Sequence, residues 1–288
     1  GRIAILLMFL ASGTSAYLDW TGPEVFSASL VLIGFTLLLA QRPLLSALAF
    51  SAAAQQNAPI GLLVAVALGF WLWHLIIAVR AGQTPLRRRV PQLLGAAAVT
   101  LFALQAPLFY WWNFWVPSLL VANGLSESKF ITMNRLLSYY FDLDQGLVRG
   151  APFLLCALLA AFLLALVRRS FPALLIGLAL VSASILIAIP SLTTPMWTTA
   201  SPLFLRYVYW GAVPLWFATV YFLRETSPRQ RNILLSLAII CQVAWLIDIH
   251  RSKTLSGNLL LGHYWLSKYV IAHFPEHYSP DPFVFTIR

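Results

Sequence analysis

From Ile60 to Val79, and again from Phe171 to Ile189, the chain carries no Asp, Glu, Lys or Arg. A run of about 20 apolar residues is long enough to cross the hydrocarbon of a bilayer as a helix. Lipid offers no partner for backbone N–H and C=O groups, so only helices and closed barrels span it. A barrel needs strands of alternating polarity, and these runs are continuous. Composition agrees: 60% of the 288 residues are hydrophobic and 10% are charged. A soluble domain carries about 25% charged residues. The expected fold is all-α, a polytopic transmembrane helical bundle. Disorder, an ordinary soluble enzyme and a nucleic-acid-binding module are excluded.

Apolar periodicity and turn residues give about nine membrane segments. They run from Ile3 to Ala16, Glu24 to Ala40, Leu44 to Ala54, Ile60 to Val79, Pro91 to Phe109, Ala151 to Val167, Phe171 to Ile189, Tyr207 to Leu223 and Ile233 to Ile249. The first and third are short; the third is expected to be tilted, re-entrant or buried among other helices. Arg2 and the apolar run after it look like a signal peptide. Such a peptide would open directly into another helix, so the start is read as the tail of a membrane helix. Residues 1–249 form the expected membrane domain, with an outer loop over 110–150 that holds an interfacial helix. Residues 250–288 form an outer segment that leads toward a further domain. Cys156 and Cys241 both fall in predicted spans and read as small buried apolar residues.

The net charge of +10 raises nucleic acid and anionic lipid as partners. Position decides between them. Arg2, Arg42, Arg80, Arg87, Arg88, Arg89, Arg168, Arg169, Arg224, Arg229 and Arg231 fall in tight turns on one side of the predicted spans. Cations in short loops mark the cytoplasmic side. The charge therefore records topology, membrane lipids are the expected surroundings, and nucleic acid is not a partner. The acids sit oppositely: only Glu225 falls on the cytoplasmic side. The longer segments 110–150, 191–206 and 250–288 also lie outside. Spare loop sequence is where function concentrates. The working face is expected to be the outer one.

Within those segments, Phe109–Pro117 is dense in aromatics and reads as an interfacial belt, with a stacking platform as the alternative. Leu136, Leu137, Tyr140 and Phe141 recur at helical spacing, as in an amphipathic helix on the membrane surface. Asp142, Asp144 and Gln145 follow in a polar turn, with Arg149 at the mouth of the next helix. Asp142 and Asp144 are spaced either to bind a divalent cation or to cap that helix. Arg206 stands at another helix mouth, placed for a phosphate or for lipid headgroups. Asp19 and Glu24 lie in a turn between two spans. Glu24 suits the positive end of its helix, yet a carboxylate at this depth is costly and so is a candidate base or ligand. His74 reads as a packing histidine in mid-span. His263, His273 and His277 form no metal pattern, because Pro275 breaks the helix that would align the last two.

Three phrases resemble the GT-C superfamily of polytopic membrane glycosyltransferases, in particular bacterial mannosyl- and arabinosyltransferases that use polyprenol-phosphate sugars. They are SYYFDLDQGLVRGAP, WTGPEVFSASLVLIGF and YVIAHFPEHYSPDPFVFTIR. The resemblance covers most of the chain through degenerate phrases. It implies a lipid-linked sugar donor used at the outer face of the inner membrane. In such enzymes an acid in the first outer loop acts as general base, and this reading places that loop upstream of Gly1. Within the chain, Asp19 and Glu24 are the candidate catalytic acids. Arg206, Arg149, Asp142, Asp144 and Gln145 are the candidates for lipid phosphate or substrate. A divalent cation is a candidate cofactor, and a protein subunit a candidate partner. Two other readings stand beside the enzyme. A flippase for a lipid-linked glycan would need a polar pathway at the midplane. A noncatalytic subunit would need only packing surfaces.

Overall fold

The computed structural model of the chain describes residues 2–18, 22–81, 90–194, 206–256 and 265–275. Among these residues every regular element is helical. The order is α1 (Arg2–Phe9), a π-helical segment (Leu10–Thr14), α2 (Ser15–Leu18), α3 (Glu24–Leu39), α4 (Pro43–Ala54), a short 3-10 turn (Ala58–Ile60) and α5 (Gly61–Arg80). Then come α6 (Val90–Phe114), α7 (Leu119–Ala122), a second 3-10 turn (Ser128–Phe130), α8 (Met133–Phe141), α9 (Leu147–Gly150), α10 (Pro152–Val167) and α11 (Phe171–Ser191). The chain closes with α12 (Arg206–Gly211), α13 (Val213–Phe222), α14 (Pro228–Ser256) and α15 (Trp265–His273).

Four segments are long and apolar enough to cross a membrane: Ala58–Arg80, Val90–Phe114, Phe171–Ser191 and Pro228–Ile249. Four more are apolar but shorter: Arg2–Thr14, Glu24–Leu39, Pro43–Ala54 and Pro152–Val167. At 1.5 Å per residue a 16-residue helix such as α3 reaches roughly 24 Å, short of the roughly 30 Å hydrocarbon core. The segment expected from Tyr207 to Leu223 is two short helices, α12 and α13, with Pro214 in the first turn of the second. The structure is thus an all-helical bundle compatible with an integral membrane protein.

A helix that is apolar all round belongs in the middle of a bundle. That helix is α13, buried from Val213 to Thr219 and again at Phe222, and it meets α11, α10, α1 and α3. Apolar side chains gain little by leaving lipid for each other, so close backbone approach selects the packing faces. On α10 the buried face is Leu154, Ala157, Ala161 and Ala165. On α11 it is Ala173, Gly177, Leu180, Ser184, Ile187 and Ser191, a repeat near 3.5 residues, joined by Ala188. At Gly177 the approach is close enough that an added Cβ would overlap the ring of buried Phe222. Gly177→Ala is expected to destabilise the bundle by about 1–3 kcal/mol, the usual cost of overpacking. Thermal melting in detergent checks this, and an unchanged midpoint would show that the seam yields.

Two expectations about buried residues are corrected. Cys156 is exposed on the outside of α10, and Cys241 is only partly covered. Uniform apolarity around α10 hides which side faces outward; the alanine seam decides it, and Cys156 lies off that seam. His74, read as a packing histidine, packs on Phe70 with ring centroids 4.5 Å apart, and its side chain is exposed. The aromatic run at the end of α6 is exposed, with Trp111, Trp112 and Trp115 all open.

Candidate functional site

The starts of α3 and α12 meet at the end of the bundle that carries the long loops. Pro23 ends the preceding turn and α3 begins at Glu24, where a carboxylate complements the helix dipole. The side chain does not stay in solvent. Glu24 is 2% exposed, and its Oε2 has no hydrogen-bond partner. Arg206, the first residue of α12, approaches with Nη1 at 3.9 Å from Glu24 Oε1. That distance is an ion pair but is too long for a hydrogen bond. The Arg206 Nε is likewise buried and unpartnered, although the side chain as a whole is 38% exposed. A buried polar atom without a partner is rare and costs about 1–3 kcal/mol. Here a carboxylate oxygen and a guanidinium nitrogen, in two ion-paired side chains, are both left open.

The surroundings hold this pair in place. Arg206 Nη2 donates to Tyr207 Oη at 3.0 Å, and the guanidinium sits 4.9 Å from the Tyr207 ring centroid. Trp210, one helical turn after Arg206, meets the same ring edge-on. One turn into α3, Ser27 accepts a bond of 2.6 Å from Asn57 Nδ2, tying α3 to the α4–α5 turn. On the other side lies the kink after α1. Gly13 there has φ 93°, a conformation open to glycine at little cost. Ser12 and Thr14 both donate to the Phe9 carbonyl, filling the broken helix ladder. The kink places Thr14 Oγ1 at 2.6 Å from Tyr209 Oη and stacks Tyr17 on Tyr209.

The polar turn after α8 is a second polar centre. Asp142 and Asp144 are both buried. Asp142 Oδ1 accepts the backbone N–H groups of Asp144 and Gln145, each at 2.8 Å. That is an Asx turn leading into α9. Gly146 N–H returns to the Asp142 carbonyl at 2.9 Å, and a Cβ on Gly146 would stand 2.5 Å from Asp142 N. Arg149 donates from Nη1 to the Asp144 carbonyl. Trp245 and Gln242 of α14 donate to the carbonyls of Arg149 and Gly150 at 2.8 and 2.7 Å. Gln145 Oε1 and Gln242 Oε1 are buried without hydrogen-bond partners. Among the described residues no group of three or more His, Cys, Asp or Glu is placed to hold a metal ion.

Helix α8 links the two centres. Tyr139 donates to the Tyr207 carbonyl at 2.5 Å, and Tyr140 pairs with Ser184 at 2.9 Å. Leu136 and Tyr140 therefore pack on the bundle, while Leu137 and Phe141 point away from it. The face grouped from sequence is split, because helical spacing fixes neighbours on a helix but not the side that packs. Burial raises the Tyr140 hydroxyl to about 12, with the Ser184 bond opposing. Burial also holds the Tyr139 hydroxyl well above its usual value, helped by Tyr140 and Tyr17. A raised folded value stabilises fully below the unfolded value of 10.0 and is lost as pH climbs toward 12. Over that window the parent's melting midpoint is expected to fall more steeply than that of Tyr140→Phe; parallel curves would remove this contribution.

Of the residues singled out in the sequence, Glu24 and Arg206 are brought together. Asp142, Asp144, Gln145 and Arg149 form the separate turn, and Asp19 lies outside the described residues. Sequence reasoning missed Tyr139, Tyr207, Trp245 and Gln242. Only Gln242 carried a signal, a lone amide within an apolar run. No protein-family model, curated protein or solved structure matches the chain.

Proposed function

We propose that the protein is a membrane glycosyltransferase that moves a sugar from a polyprenyl-phosphate-linked donor to an acceptor hydroxyl on the non-cytoplasmic side. The observation that carries this reading is the buried Glu24–Arg206 pair with an open carboxylate oxygen and an open guanidinium nitrogen. It lies where apolar helices meet the long loops, so a lipid-linked substrate would keep its tail in hydrocarbon and bring its phosphate to Arg206. A guanidinium is suited to phosphate oxygens by its planar fork of donors.

The chemistry follows from the open atoms. Glu24 takes the proton of the acceptor hydroxyl as the sugar–phosphate bond breaks. Arg206 stabilises the charge that develops on the departing lipid phosphate. The Asp142–Arg149 turn, fastened by α14, is the second proposed contact for substrate. Residues 1–249 are read as the multi-span portion with this working face, about nine segments in all.

The test is transfer of labelled sugar from a polyprenyl-phosphate donor by the full protein in membranes. Arg206→Ala is expected to raise the donor KM and lower kcat. Transfer unchanged in Arg206→Ala removes the residue from the site. Accumulation of the donor across sealed vesicles with no covalent product would favour a flippase instead.

A further inference from the structure

The end of the bundle away from Glu24 and Arg206 carries two turns joined to each other. The α10–α11 turn holds Arg168 and Arg169, and the α13–α14 turn holds Arg224, with Arg229 opening α14. Arg168 donates from Nη1 to the Glu225 carbonyl at 3.0 Å and from Nη2 to Gln230 Oε1 at 2.6 Å. These bonds gather exposed cations from both turns into one patch, in which Glu225 is the acid.

Two features of this patch exceed what membrane orientation asks for, and a third sets apolar surface beside it. The first is Arg169, which adopts φ 52°. Its N–H bonds to the Leu166 carbonyl at 3.0 Å, and the Ser170 N–H bonds to the Ala165 carbonyl at 3.1 Å. This is a Schellman ending, where glycine is the favoured residue. A guanidinium is kept where a side chain is sterically disfavoured. The second is Ser170, 3% exposed, whose Oγ has no hydrogen-bond partner and does not cap α11. The third is the flank: Val167 and Phe171, next to the arginines, are 81% and 73% exposed. Water alone would disfavour such apolar side chains, whereas acyl chains beside a headgroup would cover them.

We propose that the joined turns bind the phosphate headgroup of an anionic phospholipid, with Arg168, Arg169 and Arg224 at the phosphate and Val167 and Phe171 among the acyl chains. Cations near an anionic surface and apolar contacts below it are the two components of lipid recognition.

The experiment titrates the purified full chain in detergent with phosphatidylglycerol or phosphatidylcholine and reads bound lipid by native mass spectrometry. The parent is expected to prefer phosphatidylglycerol. Arg169→Gly combined with Arg224→Gln is expected to weaken that binding about 25-fold, or about fivefold for each arginine. Arg169→Gly relieves the positive φ, so melting in lipid-free detergent stays level or rises. Arg168 is left in place because it also holds the two turns together. Equal binding of the two lipids, or undiminished phosphatidylglycerol binding by the variant, overturns the proposal. Equal protection by inorganic phosphate at the same concentration also overturns it, because the ligand is then the free anion.

Discussion

Glu24→Gln is expected to lower sugar transfer by about 10²–10⁴-fold, the usual loss when a general base is removed. The same change is expected to leave thermal stability level or raise it. The two expectations share one cause. Glu24 is 2% exposed with one oxygen unpartnered, so its charge is held in place at a desolvation cost. Glutamine keeps the shape and a carbonyl acceptor but discards the charge. Arg206 is left without its carboxylate, yet its side chain is 38% exposed and solvent screens it. A residue that serves chemistry at the expense of stability gives this signature. Melting that collapses in Glu24→Gln would make the pair structural. Transfer that survives would move the base elsewhere.

Asp142→Ala is expected to cost about 2–6 kcal/mol, because two backbone N–H groups lose their acceptor at about 1–3 kcal/mol each. The turn into α9 then loosens, and with it the anchorage of Arg149 against α14. Asp142→Asn keeps an amide oxygen where Oδ1 stands and is expected to recover most of the melting midpoint. Comparing the two variants separates structure from chemistry. Normal melting with lost transfer in Asp142→Asn would show that the carboxylate charge itself is needed, as a cation or substrate ligand requires.

The helices were largely legible before folding is considered. Pro43, Pro152 and Pro172 stand in the first turns of α4, α10 and α11, arginine-bearing turns close α3, α10 and α13, and Arg80 ends α5. The division of the 207–223 run was not legible. A proline in its middle allows either a kink or a break, and the two helices meet at Ala212, which keeps a helical conformation. Helix α8 is the opposite case: its existence followed from spacing, but its packed side followed from the hydroxyls of Tyr139 and Tyr140 finding Tyr207 and Ser184.

The candidate site divides in the same way. Asp142, Asp144 and Gln145 meet because they are neighbours in the chain, and an aspartate two residues before a free N–H makes a turn wherever it lies. Glu24 and Arg206 are remote in sequence, and no local rule pairs them. They meet because α12 packs directly on α3. The sequence by itself determined the helical class and which residues lie at helix mouths, because apolar length and turn chemistry act locally. Only the tertiary structure decided which mouths touch. In nearly uniform apolar helices, hydrophobicity does not distinguish one face from another, and the close approach of small residues does.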